Sequence, residues 1–232
     1  MDPVIPDNFL DVTGKIYDFF FISITLMIIP ILISVGTSFA KISIVLSLIR
    51  NALGVQQIPS NMTLYGIALI LTLYVMKPVI AETYNAYQNY ASTQKEQPQE
   101  QEKLKQISNA ISITSKPFMA FLKKNTRSNE INFFVSTAKV IWPEKYSKTV
   151  VENDLLILLP AFAVSEITKA FAIGFLIYLP FIVIDLVISN ILLTLGMMMV
   201  SPSTISLPFK LLLFVMIDGW SRLMHGLVLT YQ

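Results

Sequence analysis

Among the ionisable side chains that interrupt two long apolar stretches of this sequence, seven are the residues whose types could carry chemistry. They are Lys41, Arg50, Glu166, Lys169, Asp185, Lys210 and Asp218. On insertion scales, each such charge costs about 2.5–3.5 kcal/mol at the centre of a bilayer. Seven of them make a conventional lipid-embedded bundle hard to sustain, so we expect the charges to be paired inside protein. Glu166 and Lys169 can pair on one helix face because they lie three residues apart.

These charges allow three interpretations. They can be structural ion pairs within the chain, or pairs between subunits of an assembly. In a third interpretation, Glu166, Asp185 and Asp218 form the proton or cation relay of a transporter, with broken helices at Pro180 and Pro202 around a midplane site. Structural ion pairs are common in apolar bundles, so spacing alone favours the first interpretation.

Motifs for catalysis and metal binding are absent from the sequence. His225 is the only histidine and there is no cysteine, so neither a zinc site of the His-Glu-x-x-His type nor a Ser-His-Asp triad is available. Gly36, Thr37 and Ser38 lack the second glycine of a nucleophile elbow, and no Walker-type phosphate loop occurs. The sequence therefore predicts no enzyme activity, no cofactor and no metal.

Two further patterns concern packing. Met197, Met198 and Met199 follow Gly196 at a predicted bend, where flexible thioethers can form a deformable apolar collar around something that passes through. Consecutive methionines in an apolar chain are more often core filler, which the residues alone favour. The second pattern is a stripe of small residues at helical spacing, which lets another helix approach closely. This predicted helix-packing seam consists of Gly36, Ala40, Ser43 and Ser47.

The charges divide the sequence into three parts. Of the 232 residues, 54% are apolar and 14% are charged, whereas a soluble domain carries about 25% charged residues. Ten of the 17 basic and eight of the 15 acidic residues lie between Glu82 and Asp154. We therefore predict an N-terminal segment and apolar helical hairpin over 1–84, a polar helical insert over 85–154, and apolar hairpins with a methionine-rich loop over 155–232. The net charge of +2 is too balanced for a nucleic-acid footprint, so the expected partners are lipid or protein.

Proline, glycine and capping residues predict an all-α fold of apolar helical hairpins with an amphipathic insert. We expect an apolar helix over 19–35 kinked at Pro30, and a hairpin in which Gly54 ends one helix and Asn61 begins the next. That second helix is expected over 62–76. The acidic start of the chain argues against a cleavable secretory signal.

The remaining helices are predicted from periodicity. Short amphipathic helices of the insert, around Ile111, Phe118 and Ile131, should lie on a larger apolar body because none is long enough to be stable alone. The last third should form three runs over 155–180, 181–195 and 204–228. The breaks are expected at Pro180, Gly196 and Pro202.

Three stretches of the two apolar blocks carry a family resemblance. They read RNALGVQQIPSNMTL from Arg50 to Leu64, FAIGF with LPF and DLV from Phe171 to Val187, and ISLPFKLLLF from Ile205 followed by DGW at Asp218. In these stretches the chain resembles the R component of the type III secretion export gate, whose flagellar member is called FliP. The resemblance covers about 30–80 and 155–228, while 85–150 match no motif. The segment from Ile58 to Asn61 is more similar to the virulence injectisome branch than to the flagellar one.

The resemblance implies a homo-oligomer, a pentamer in this family, that assembles with the small S and T components into a conical export gate with a central pore. It implies that inner rod and secreted protein substrates cross the bacterial inner membrane through this gate, with much of the complex on the periplasmic side. It also implies that Met197, Met198 and Met199 are the gasket that closes the pore. Membrane lipid is an expected neighbour, and an ion-coupled small-solute transporter is the alternative function.

Overall fold

The computed structural model describes residues 7–55, 58–93, 108–197 and 199–232, and every regular element within these ranges is a helix. The helices are α1 (Asp7–Gly36), α2 (Phe39–Leu53), α3 (Asn61–Thr93), α4 (Lys116–Asn125), α5 (Ser128–Ile141), α6 (Glu144–Ser147), α7 (Leu155–Thr194), α8 (Pro202–Met216) and α9 (Gly219–Leu229). A further helical run over 108–114 leads into α4. The predicted all-α fold is confirmed, whereas the ring with a central pore stays a prediction.

The first hairpin begins and ends where its capping residues indicate. Gly54 takes a left-handed conformation with φ of 74°, and its amide donates to the Asn51 carbonyl at 3.1 Å, which ends α2. The Thr63 amide donates to the Ser60 hydroxyl at 3.2 Å at the start of α3. The polar residues Gln56 and Gln57 lie outside the described residues.

Three predicted helix ends are wrong, and two of them fall at prolines. Helix α3 continues through Pro78 to Thr93, and α7 continues through both Pro160 and Pro180. Pro30 lies inside α1, as expected, but this helix begins at Asp7 and not at residue 19. Pro78 and Pro180 are exposed, so the interruption of the hydrogen-bond ladder that each causes lies on the outside of the fold. The predicted break at Gly196 is present, with φ of 72°.

The third error concerns the predicted run over 204–228, which is two helices. Helices α8 and α9 meet at an angle of 60°. The turn is made at Asp218, whose φ is 54°, and Gly219 packs so closely on the Phe214 ring that a Cβ there would overlap it. Such a close approach requires glycine.

Two apolar clusters form the core. The first surrounds α2, whose Ile42, Leu46 and Ile49 are buried against residues of α3, α7, α8 and α9. The second joins the insert to the beginning of α7, with Leu122 and Ile131 packed against that helix. Helix α2 is therefore an interior helix, and the insert helices α4 and α5 lie on the apolar body as their patterns predicted. In contrast, Ile111 is exposed.

Much of the apolar surface remains uncovered by the chain itself. Helices α3 and α7 are long and apolar enough to cross a membrane, and the bent pairs α1 with α2 and α8 with α9 make up to four spans if each pair counts as one. Phe171, Phe175 and Leu179 of α7 are among the exposed side chains. Surfaces of this kind are covered by lipid or by neighbouring protein.

Candidate functional site

The methionine loop connects the long helix α7 to α8. Gly196 and Met197 close the end of α7, because the Met197 amide donates to the Leu192 carbonyl at 3.0 Å. Met197 is 44% exposed and Met199 is fully exposed, while Met198 lies outside the described residues. Neither of the two described methionines fills the core of this chain. The loop therefore presents apolar, adaptable side chains to whatever lies beside it.

A charge cluster joins the two helices on either side of this loop. The Lys210 ammonium lies 2.6 Å from Asp185 Oδ2 and donates to the Ala52 carbonyl at 3.2 Å, and the Ser206 hydroxyl donates to Asp185 Oδ1 at 2.6 Å. We call these four groups the Lys210 cluster. The Ala52 carbonyl belongs to the last turn of α2, where the helix dipole favours a cation. The cluster thereby fastens α7 and α8 to each other and to the end of α2.

A second cluster lies around Glu166, whose side chain is completely buried. Glu166 pairs with Lys41 at 3.2 Å and with Lys169 at 3.1 Å, and it accepts a hydrogen bond from the Tyr231 hydroxyl. Lys169 also donates to the Asn125 carbonyl. We call these five residues the Glu166 cluster. It joins α2, α7, the end of α4 and the end of the chain.

Tyr231 contributes to the Glu166 cluster in two ways. Its hydroxyl donates to the carboxylate, and the Lys41 ammonium lies 3.5 Å from the centre of its ring, a cation–π contact. Burial, together with the charge of Glu166, raises the pKa of Tyr231 well above its ordinary value of 10. The hydroxyl therefore keeps its proton and remains a donor.

The two remaining charges of the seven have other surroundings. Arg50 donates to Asn61 Oδ1 at 2.6 Å and to the Pro59 carbonyl at 3.3 Å, which fastens the turn between α2 and α3. Asp218 is exposed at the turn between α8 and α9, and its side chain does not cap α9. The structure therefore gathers five of the seven charges into two clusters and leaves the carboxylates Glu166, Asp185 and Asp218 in three different environments. Among the described residues, no group of three or more His, Asp or Glu side chains could hold a metal ion.

The close helix contacts only partly follow the small-residue stripe. A Cβ on Gly36 would lie 3.0 Å from the Phe118 ring, so the insert packs tightly there. Ser43 is buried, and its hydroxyl donates to the Ala40 carbonyl at 3.1 Å. Helix α2 approaches α7 closely at Gly174, which is not part of the stripe and where a Cβ would overlap Leu48. The role of the stripe as a seam, including Ser47, stays a prediction.

Sequence reasoning missed the uncharged partners of the clusters. Tyr231, Ser206 and the carbonyls of Ala52 and Asn125 carry no formal charge, so a search for charged residues passes over them. The available signal was the ammonium group itself. It has three N–H donors, so a buried lysine needs further acceptors beside its carboxylate.

Comparison with known proteins gives a consistent result. The FliP family matches residues 22–227. The chain is 54% identical over 207 residues to the Yop proteins translocation protein R of Yersinia pestis, covering 89% of this chain and 92% of that protein. It is 43% identical over 235 residues to the virulence protein YscR of Salmonella typhimurium, covering 98% and 99%. It is 45% identical over 210 residues to the hypersensitivity response secretion protein HrcR of Ralstonia nicotianae, covering 90% and 94%.

These matches decide the class of protein. Members of this family are structural components of a secretion apparatus, so the chain is a secretion component and not an enzyme. Its apolar helices make it a membrane protein. The chain therefore belongs to the FliP family and groups with its injectisome members.

Proposed function

We propose that this chain is a core subunit of a type III export gate in the bacterial inner membrane. Five copies form a ring that assembles with the S and T components, and much of the assembly lies on the periplasmic side. Inner rod and secreted proteins pass unfolded through its central pore. The names of the relatives support this function, since they describe secretion and translocation proteins.

The observation that carries the proposal is the exposure of the methionine loop. In the loop that joins the long apolar helix α7 to α8, Met199 is fully exposed and Met197 is 44% exposed. Copies of this loop around an axis would place a ring of thioethers in the pore. Because thioethers adapt their shape without fixed hydrogen bonds, such a ring seals against ions at rest and accommodates side chains of many shapes during passage.

The charge clusters leave the helices that carry them free to pack against neighbouring copies. A buried charge is tolerated where it is paired and hydrogen-bonded, and both clusters meet this condition within the chain. The helices that carry them can therefore pack against other helices without the cost of unpaired charges in lipid.

The alternative, an ion-coupled transporter, receives less support. Its relay needs Glu166, Asp185 and Asp218 along one path. Glu166 is enclosed by two lysines, Asp185 pairs with Lys210, and Asp218 lies at an exposed turn. The family match also favours secretion over solute transport.

The test replaces Met197, Met198 and Met199 together by alanine in cells that make the complete gate. We expect the ring to assemble, as judged by the mass of the detergent-extracted particle with S and T, while the resting conductance of the membrane for small ions rises. Met62→Ala is the matched control, because Met62 is an exposed methionine at the start of α3. An intact ring with normal resting conductance would contradict the gasket. A wild-type chain that forms no ring with S and T would contradict the export gate itself.

A further inference from the structure

The turn between α8 and α9 has an unusual backbone. Asp218 has φ of 54° and is the only non-glycine residue with positive φ in the part of the chain that the structure describes. A side chain with a Cβ disfavours this region, although aspartate and asparagine do so less than other residues, and outliers of this kind concentrate at functional sites. The Asp218 carbonyl accepts from the Arg222 amide at 3.1 Å and so begins α9.

The charged side chains at this turn form no ion pair within the described ranges. Aspartate favours the first position of a helix because its carboxylate caps the free amides, yet the Asp218 side chain makes no such bond. Arg222, one turn further along α9, is exposed as well. Within the described ranges, neither side chain forms an ion pair, with the other or with any other residue. The turn thus presents a free carboxylate and a free guanidinium.

Two apolar features adjoin these charges. Val215 and Met216 are about three-quarters exposed, at 74% and 76%, and form an apolar tip at the end of α8, separated from Asp218 by Ile217. Beside the turn is a cavity of about 410 Å³ with apolar walls from Ile177, Pro180, Phe181, Leu213, Phe214 and Leu223. Arg222 lines this cavity and is also exposed, which places it at the mouth. The turn therefore presents the apolar tip Val215–Met216 near the carboxylate of Asp218. It also presents an apolar cavity with the guanidinium of Arg222 at its opening.

We propose that this turn is a contact between successive copies of the chain. The tip Val215–Met216 of one copy enters the cavity of the next, and Asp218 pairs with Arg222 of that next copy. The tip and the cavity are formed by different residues of the same turn, so successive copies in the proposed ring can make this contact head-to-tail. The opposite charges fix the orientation of the contact. This inference rests on the proposed ring and names one of its interfaces.

Charge reversal tests the pairing in the complete assembly with S and T. Asp218→Arg alone and Arg222→Asp alone place like charges opposite each other at every interface, and each should lower the ring fraction about tenfold. The double variant restores opposite charges and should restore the ring. Glu82→Arg, which reverses an exposed carboxylate on α3, should leave the ring intact. Asp218→Asn, which tolerates the left-handed backbone, should give a smaller loss and guards against misfolding of the arginine variant.

Cross-linking distinguishes a contact between copies from one within a copy. The chain has no cysteine, so Asp218→Cys and Arg222→Cys can be placed on two differently tagged copies and treated with a short bis-maleimide. We expect a mixed dimer product, and none when Glu82→Cys replaces Asp218→Cys. A mixed product no stronger than this control, in rings that assemble normally, would overturn the contact between copies at this turn and leave the export gate standing. Absence of rings from the wild type would overturn the proposed function itself.

Discussion

The Glu166 cluster and the Lys210 cluster each contain a lysine that is almost completely buried, but only the Glu166 cluster also buries its carboxylate. Glu166 is inaccessible and Lys41 is 1% exposed, whereas the acid of the other cluster, Asp185, is 40% exposed. The first joins the insert and the end of the chain to the apolar body. The second joins the helices that carry the methionine loop. The comparison separates a cluster whose loss should damage folding from one whose loss should damage the position of the loop.

The sharpest way to test the comparison is Glu166→Gln. This change leaves Lys41 buried without its carboxylate, and breaking a buried pair by removing one partner costs about 3–5 kcal/mol. Denaturant titration of the protein in detergent measures the free energy of unfolding. Glu152→Gln is the control, because its pair with Lys123 is exposed at 3.4 Å and should be worth about 0–1 kcal/mol.

A double variant shows that the cost comes from the unpaired lysine. Lys41→Met together with Glu166→Gln removes the buried cation as well, so it should be more stable than Glu166→Gln alone. If the single change proved no more harmful than the Glu152→Gln control, the Glu166 cluster would not be the folding element that its burial indicates.

A smaller effect is expected from Tyr231→Phe, which removes the hydroxyl and keeps the ring under Lys41. Loss of a hydrogen bond to a charged group should cost about 1.5–3 kcal/mol. Tyr146→Phe, at an exposed position of the insert, should change nothing.

The pH dependence of this difference has a definite sign. The pKa of Tyr231 is raised in the folded chain above the ordinary value of 10, so the stabilisation is complete below about pH 10 and falls as the unfolded tyrosine ionises above it. The stability difference between wild type and Tyr231→Phe should stay constant from about pH 7 to pH 9. A difference that already shrinks within this window would mean that the hydroxyl is not enclosed.

The sequence predicts the local features of this fold better than its long-range pairs. Gly54, Ser60 and Gly196 act through their own backbone or the adjacent helix end, so their effects could be read directly. Glu166 and Lys169 pair because their spacing on one helix allows it. The pairs Lys41–Glu166 and Asp185–Lys210 join different helices, so they depend on how α2, α7 and α8 cross, which no spacing rule supplies.

The errors at Pro180 and Asp218 have a common physical cause. A proline removes one hydrogen bond, and in α7 the interruption lies at an exposed position, so the helix continues. At Asp218 no helix-breaking proline is present, yet the chain turns because the residue after it, Gly219, packs against Phe214. In both places tertiary surroundings override the local propensity.

The smallest change in stability, with the most specific change in function, is expected from Lys210→Met. The substitution replaces a buried cation with an apolar side chain of similar length, and the half-exposed Asp185 can be hydrated. The free energy of unfolding should therefore change by about 1 kcal/mol or less. Helices α7 and α8 lose the contact that fastens them near the methionine loop. We therefore expect assembled rings with a raised resting conductance for small ions.

Lys148→Met, which breaks an exposed pair with Glu144 on the insert, is the control and should change neither quantity. Rings of Lys210→Met with wild-type conductance would show that the Lys210 cluster does not position the loop, and a loss of stability as large as that of Glu166→Gln would remove the distinction between the two clusters.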